Sequence, residues 1–297
     1  MTDLSYLLPW DFSPTVLSAC VLAVLLYTRG LAVLGRQGVR RGFWRPFSFY
    51  LGVALAYAAL QTYVDFLAQH MFWIHRLQHL VLHHVSPVLL VLGAPLPALT
   101  AGAPEALKRS LRRIPAWVVR PFGVLLRVLQ QPIVASVLFV GLIYFWLTPS
   151  IHFTAMIDTR RYLLMNWSML VDGLLFWWLM LAPRAEQGHA AVSYPYRLVI
   201  LPLIAVPQVV LGAYIALHST PLYSIYAVCG RAWSLSPMLD QQVGGLLTWI
   251  PAAMMSLIGI LVVLGHILHE NRAGSAAPSP ARRPSSPVPP LPRERHA

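Results

Sequence analysis

His70-Met71-Phe72-Trp73-Ile74-His75-Arg76-Leu77-Gln78-His79-Leu80-Val81-Leu82-His83-His84, continuing through Val85-Ser86-Pro87 to Gly93-Ala94-Pro95, holds five of the chain's 11 histidines. The rest of the stretch is apolar and long enough to cross a bilayer, which takes about 20 residues. Ionisable groups at membrane depth are costly and mark functional positions. His75, His79 and His83 recur every fourth residue, so a helix stacks them along one side. Two imidazoles at that spacing can share a metal ion. A single histidine in this setting reads as a core residue bonded to its neighbours. Several in register, with Met71 beside them, point to metal or haem binding.

Composition sets the class. The 297 residues are 57% hydrophobic and 11% charged, whereas soluble domains carry about 25% charged residues. The expected fold is therefore all-α, a polytopic membrane protein. Cys20 and Cys229 form neither a CxxC pair nor a zinc spacing. Met1 to Pro14 lacks the positive start of a signal peptide, so the first apolar run reads as a retained helix.

Seven apolar runs are long enough to span, near 14–35, 47–67, 71–92, 132–149, 162–182, 197–217 and 243–267. Residues 1–270 thus form a seven-helix membrane domain. Residues 271–297, rich in Pro, Ser, Ala and Arg, cannot bury a core and read as a disordered tail. Lys and Arg stay in the cytoplasm. Arg29, Arg36, Arg40, Arg41 and Arg45 fall between the first two runs, and Lys108, Arg109, Arg112, Arg113, Arg120 and Arg127 between the third and fourth. Arg184 and Arg197 precede the sixth, and Arg272, Arg282, Arg283, Arg293 and Arg295 follow the seventh. Those 18 oppose three, Arg160, Arg161 and Arg231, with Arg76 inside a span. The expected N-terminus is outside and the C-terminus cytoplasmic. The net charge of +12 is then a topology signal and implies no nucleic-acid partner. The segment 106–130, with basic residues among Leu, Val and Trp117, is expected to lie along the inner membrane surface.

In this orientation the third run descends from the outer face. His70 and Met71 sit at its mouth, with His75 and His79 about 7 and 13 Å deeper, and His83 past the middle of a core roughly 30 Å thick. His152 and Met156 follow the fourth run, Met165 and Met169 begin the fifth, His218 follows the sixth and Asp240 precedes the seventh. Imidazole with thioether suits copper, and thioether favours Cu(I). The candidate metal ligands are His75, His79, His70, Met71, His83, His152, Met165 and Met169. Methionine also fills irregular apolar gaps. The charged groups inside spans need partners, so Arg76 is expected to pair with Asp172 or Asp65.

The run His75-Arg76-Leu77-Gln78-His79, followed by Pro87 and Leu92-Gly93-Ala94-Pro95, resembles the HMxQH…P…LGAP signature of the CtaG-type cytochrome c oxidase assembly proteins. Gly173-Leu174-Leu175-Phe176-Trp177-Trp178, Pro221-Leu222-Tyr223 and the stretch from Asp240 to Pro251 extend the likeness over most of the seven-run body. Arg76 stands where the signature often has methionine, and Met165, Asn166 and Met169 stand where many members carry histidine. The resemblance implies a non-enzymatic protein of a bacterial plasma (inner) membrane that supplies or inserts copper at the copper B centre of a haem–copper oxidase. It implies an oxidase subunit and a copper donor protein as partners, and makes His75 and His79 candidate copper ligands.

Two other readings stay open: a b-type haem protein with histidines on two helices, and a metal-free assembly scaffold. Retinal needs a lysine within a span, and Lys108, in a loop, is the chain's lone lysine. No HExxH or GxSxG motif marks a hydrolase.

Overall fold

In a computed structural model the described residues, 11–39, 41–187 and 192–276, are helical or turn, with no strand among them. The order is α1 (Pro14–Arg36), α2 (Trp44–Gln61), α3 (Tyr63–His70), α4 (Phe72–Leu80), a π turn (Val81–Val85), α5 (Ser86–Leu92), α6 (Pro95–Gly102), α7 (Glu105–Arg112) and α8 (Ala116–Leu129). There follow α9 (Pro132–Leu147), α10 (Pro149–Ile157), α11 (Thr159–Leu181), α12 (Arg184–Gln187), α13 (Tyr194–Leu217), α14 (Ile225–Val228) and α15 (Pro237–Ala276). Four helices are long and apolar enough to cross a membrane: Pro14–Arg36, Thr159–Leu181, Tyr194–Leu217 and Pro237–Arg272. Three bent pairs pass the same test together, so the number is up to seven if each pair is one span.

The bends have local causes. The expected run at 47–67 breaks by 53° at Thr62. The Thr62 hydroxyl donates to the Ala58 carbonyl at 2.6 Å and accepts the Val64 N–H at 3.3 Å, so it ends one helix and caps the next. The run through α4 and α5 turns 69° into α6 at Gly93 and Ala94. Ala94 takes the left-handed φ of 46° there. Tyr27 donates to the Gly93 carbonyl at 2.9 Å and Arg41 to the Ala94 carbonyl at 3.0 Å, which holds the turn. On α1, Gly30 lets α6 approach so closely that a Cβ would stand 1.8 Å from the Ala98 carbonyl oxygen.

The π turn follows from Pro87. Proline has no N–H and its ring crowds the carbonyl four residues back, which is that of His83. The Ser86 N–H instead reaches Val81, closing the wider turn. The freed His83 carbonyl accepts the Trp177 indole N–H at 3.1 Å. Gly173 permits that contact, because a Cβ there would lie 2.5 Å from the same oxygen. Pro87 in one helix is thus matched by Gly173 and Trp177 in α11.

Helices α7 and α8 bury no residue, and Trp117 and Phe122 of α8 are 77% and 68% exposed. Helix α8 meets α9 at 78°. The loop expected after the fourth run is instead helix α10. Helix α15 continues to Ala276, beyond the expected start of the tail at 271, and residues 277–297 lie outside the described residues, as do His189 and His296. Arg197, read from sequence as a cytoplasmic charge, is fully buried. It donates to the Met180 and Ala182 carbonyls at 3.0 and 2.8 Å, satisfying the end of α11.

Candidate functional site

Helix α4 is set in place by α15. The Asp240 carboxylate, fully buried, accepts the backbone N–H groups of Phe72 and Trp73 at 3.1 and 2.9 Å, and its charge is met by Arg231. A carboxylate at a helix N-terminus satisfies orphan donors and complements the helix dipole. Asp240 therefore serves as a cap from a distant helix, three residues before His75.

His75 is 0% exposed, and neither ring nitrogen has a hydrogen-bond partner. Buried polar atoms are nearly always paired, so this orphaned ring is the anomaly of the site. Its centroid lies 4.3 Å from that of His79 and 4.9 Å from that of His152. The two neighbours are engaged. His79 Nε2 lies 3.2 Å from the Asn166 side-chain oxygen and its Nδ1 lies 3.4 Å from Arg76. His152 donates from Nδ1 to the Trp146 carbonyl at 3.1 Å, since a carbonyl can only accept, and its Nε2 accepts from Tyr226 at 3.0 Å. Met165 and Met169, both buried, pack with Phe72, Trp146 and Tyr162 in the apolar cluster around these rings.

The other candidates are placed apart. His70 donates to the Phe66 carbonyl at 2.7 Å and lies over the Phe66 ring on α3. Met71 packs with Ala68 and Ile74 in a separate cluster. His83 pairs through Nε2 with Asp172 at 3.0 Å and stacks on Phe139. His218 packs on Tyr214, and Cys20 and Cys229 are both free thiols.

The expected pairing of Arg76 with Asp172 or Asp65 does not form. Asp172 is taken by His83. Asp65 accepts from Tyr162 and Gln78, each at 2.7 Å, and from Gln69 at 3.0 Å. Arg76 points toward α15 and donates to Thr248 at 3.0 Å.

A cavity of about 500 Å³ opens beside the imidazoles, lined among others by Asp11, Asp65, Gln69, Met156, Tyr162 and Asn166. Asn166 connects its wall to His79. A second cavity, of about 10 Å³, is lined by Arg76, His79, His83, His84, Met169 and Gln208 among others. That is room for about one water-sized sphere. Among the described residues, no three His, Cys, Asp or Glu side chains are grouped to hold a metal ion by themselves.

Sequence spacing singled out His75 and His79, which the structure places side by side, and passed over His84, Tyr162 and Asn166. His84 follows His83 directly, so helical periodicity excludes it, and only Pro87 hinted at the wider turn. His152, a candidate from sequence, was expected in a loop and lies instead on the buried side of α10. The wall residues Tyr162 and Asn166 carry no spacing signal.

The sequence model of a family described as cytochrome c oxidase caa3 assembly factor matches residues 25–270. Uncharacterized proteins of Mycobacterium bovis and Mycobacterium tuberculosis are each 27% identical over 279 residues, covering 89% of this chain and 40% of theirs. One of Mycobacterium leprae is 25% identical over 272 residues, covering 86% of this chain and 39% of its own. The chain thus spans about two fifths of the length of these relatives. No solved structure matches.

Proposed function

Because the chain belongs to the cytochrome c oxidase caa3 assembly factor family, we propose that it handles copper for the copper B centre of a haem–copper oxidase at the outer membrane face, without catalysing a reaction. The observation that carries this reading is His75, wholly buried with both ring nitrogens unpartnered, between His79 and His152. A buried imidazole with no partner in the protein carries an uncompensated desolvation cost. Coordination of an ion offsets that cost.

The donor set fits a soft cation. Neutral imidazoles and the thioether of Met165 bind Cu(I) without adding negative charge to the interior. His79 and His152 hold their hydrogen bonds at 3.0–3.4 Å, and each would give one up to join His75. Copper is cargo here, taken from a donor protein and passed to an oxidase subunit by exchange between similar ligands. The 500 Å³ cavity, with Asp65 and Tyr162 on its wall, is the access route we assign. With the buried Arg197 set aside, the 17-to-3 partition of basic residues supports an orientation with the N-terminus outside, and we place the chain in a bacterial inner membrane as seven spans.

Arg76 supports a second reading, a metal-free scaffold, because a cation 3.4 Å from His79 opposes metal binding there. A haem reading is disfavoured: ligand pockets measure about 300–1,000 Å³, the 500 Å³ cavity carries no histidine on its wall among the described residues, and the one lined by His79, His83 and His84 measures about 10 Å³.

The test is the copper content of the client oxidase from cells that carry the wild-type protein, none, or His75→Ala. The carrier reading expects an oxidase lacking copper B in the last two cases, restored by added copper salts. An oxidase with full copper B in His75→Ala cells would leave the scaffold.

A further inference from the structure

The π turn makes something an α-helix would not. It brings two successive residues, His83 and His84, into the bundle, both buried, with ring centroids 5.1 Å apart. Each has a buried Nδ1 without a hydrogen-bond partner. The His83 ring is held from its other side, because Nε2 is bonded to Asp172 at 3.0 Å. Carboxylates oriented in this way behind a ligating histidine fix the ring and raise its basicity. Both rings line the 10 Å³ cavity, together with His79 and Met169. One-turn π segments inside α-helices often mark functional sites.

We infer that His83 and His84, with the thioether of Met169, form a second, deeper station for a soft monovalent cation such as Cu(I), linked to the His75 station through His79. This rests on the reading that the chain carries copper. It adds that two ions are held along the same rod, one at each station. His79 adjoins both stations, with its ring 4.3 Å from His75 and its side chain on the wall of the inner cavity. Charge also distinguishes the two. The inner station has the carboxylate of Asp172 behind His83, which offsets Arg76 on the same cavity wall. A cation in a low-dielectric interior needs such a counter-charge. Pro87, Gly173 and Trp177 then have a shared purpose, since together they hold the turn that turns both imidazoles inward.

The experiment is an anaerobic Cu(I) titration of the purified full chain in detergent, read by competition with a chromophoric Cu(I) chelator. Wild type is compared with His84→Phe, Met169→Leu, Asp172→Asn and His75→Phe, each checked for monodispersity. Wild type is expected to take two Cu(I) per chain. His84→Phe and His75→Phe should each take one, and Asp172→Asn should weaken the inner ion about 10–100-fold. Met169→Leu keeps the packing volume, so it reports on the ligand even if His84→Phe fails to fold. Copper bound by wild type and lost in His75→Phe, but unchanged in His84→Phe, Met169→Leu and Asp172→Asn, would overturn the inner station and leave the carrier reading standing. A wild-type protein that binds no Cu(I) would overturn both.

Discussion

Asp240, at the start of α15, accepts the backbone N–H groups of Phe72 and Trp73, at the start of α4, across 168 and 167 residues of sequence. The depth and rotation of α4, and with them the position of His75, are set from a helix near the other end of the chain. Replacing Asp240 with Ala removes the cap and strips Arg231 of its buried partner. The expected loss is about 2–4 kcal/mol, seen as a lower melting temperature in detergent, with Asp240→Asn in between.

Gly173 and the His83 carbonyl are a second fixed contact. A Cβ at 173 would stand 2.5 Å from that oxygen, so Gly173→Ala should force α11 away from the π turn and cost about 1–3 kcal/mol. Gly141 on α9 is the control, since a Cβ there meets nothing within 4 Å. Gly141→Ala should leave the melting temperature unchanged or raise it.

Arg76 bears on affinity. A unit charge within about 6 Å of a bound cation costs roughly 2–3 kcal/mol at an effective dielectric near 20. Arg76→Met, which removes that charge and keeps an apolar stem against Thr248, should tighten Cu(I) binding at least tenfold in chelator competition. Equal affinity would mean that the ion does not sit beside His79.

Asp158 caps α11, the helix that carries Met165, Asn166, Met169 and Asp172. It accepts the Arg161 N–H at 3.0 Å, and that bond holds its carboxyl below the ordinary carboxylate range. A carboxylate whose folded-state value is depressed stabilises the fold above its unfolded-state value, and the effect is lost as pH falls through the folded-state value. Melting temperatures of wild type and Asp158→Ala should therefore differ at neutral pH and converge in acid.

Much of this architecture was legible from apolar run length, and the limits were physical. Helices α1, α11, α13 and α15 include the expected runs because nothing in them interrupts the hydrogen-bond ladder decisively. The break at Thr62 and the π turn at 81–85 depend on a hydroxyl and a missing N–H, each a single-residue effect hidden in a continuous apolar run. His75 and His79 were legible because four-residue spacing survives in α4. Arg76 was assigned an acidic partner from the cost of burial alone, but rotation about α4 directs it to Thr248. Met71 reads as a ligand from proximity in sequence, yet it lies at the N-cap of α4 and packs with Ala68 and Ile74.

The most direct measurement is the copper content of the purified protein after loading and removal of free metal, for wild type, His75→Ala and His79→Ala side by side. Handling of copper by the imidazoles of α4 predicts bound copper in wild type and a clear loss in both variants at unchanged monodispersity. Equal copper in all three, or none in wild type, would contradict it.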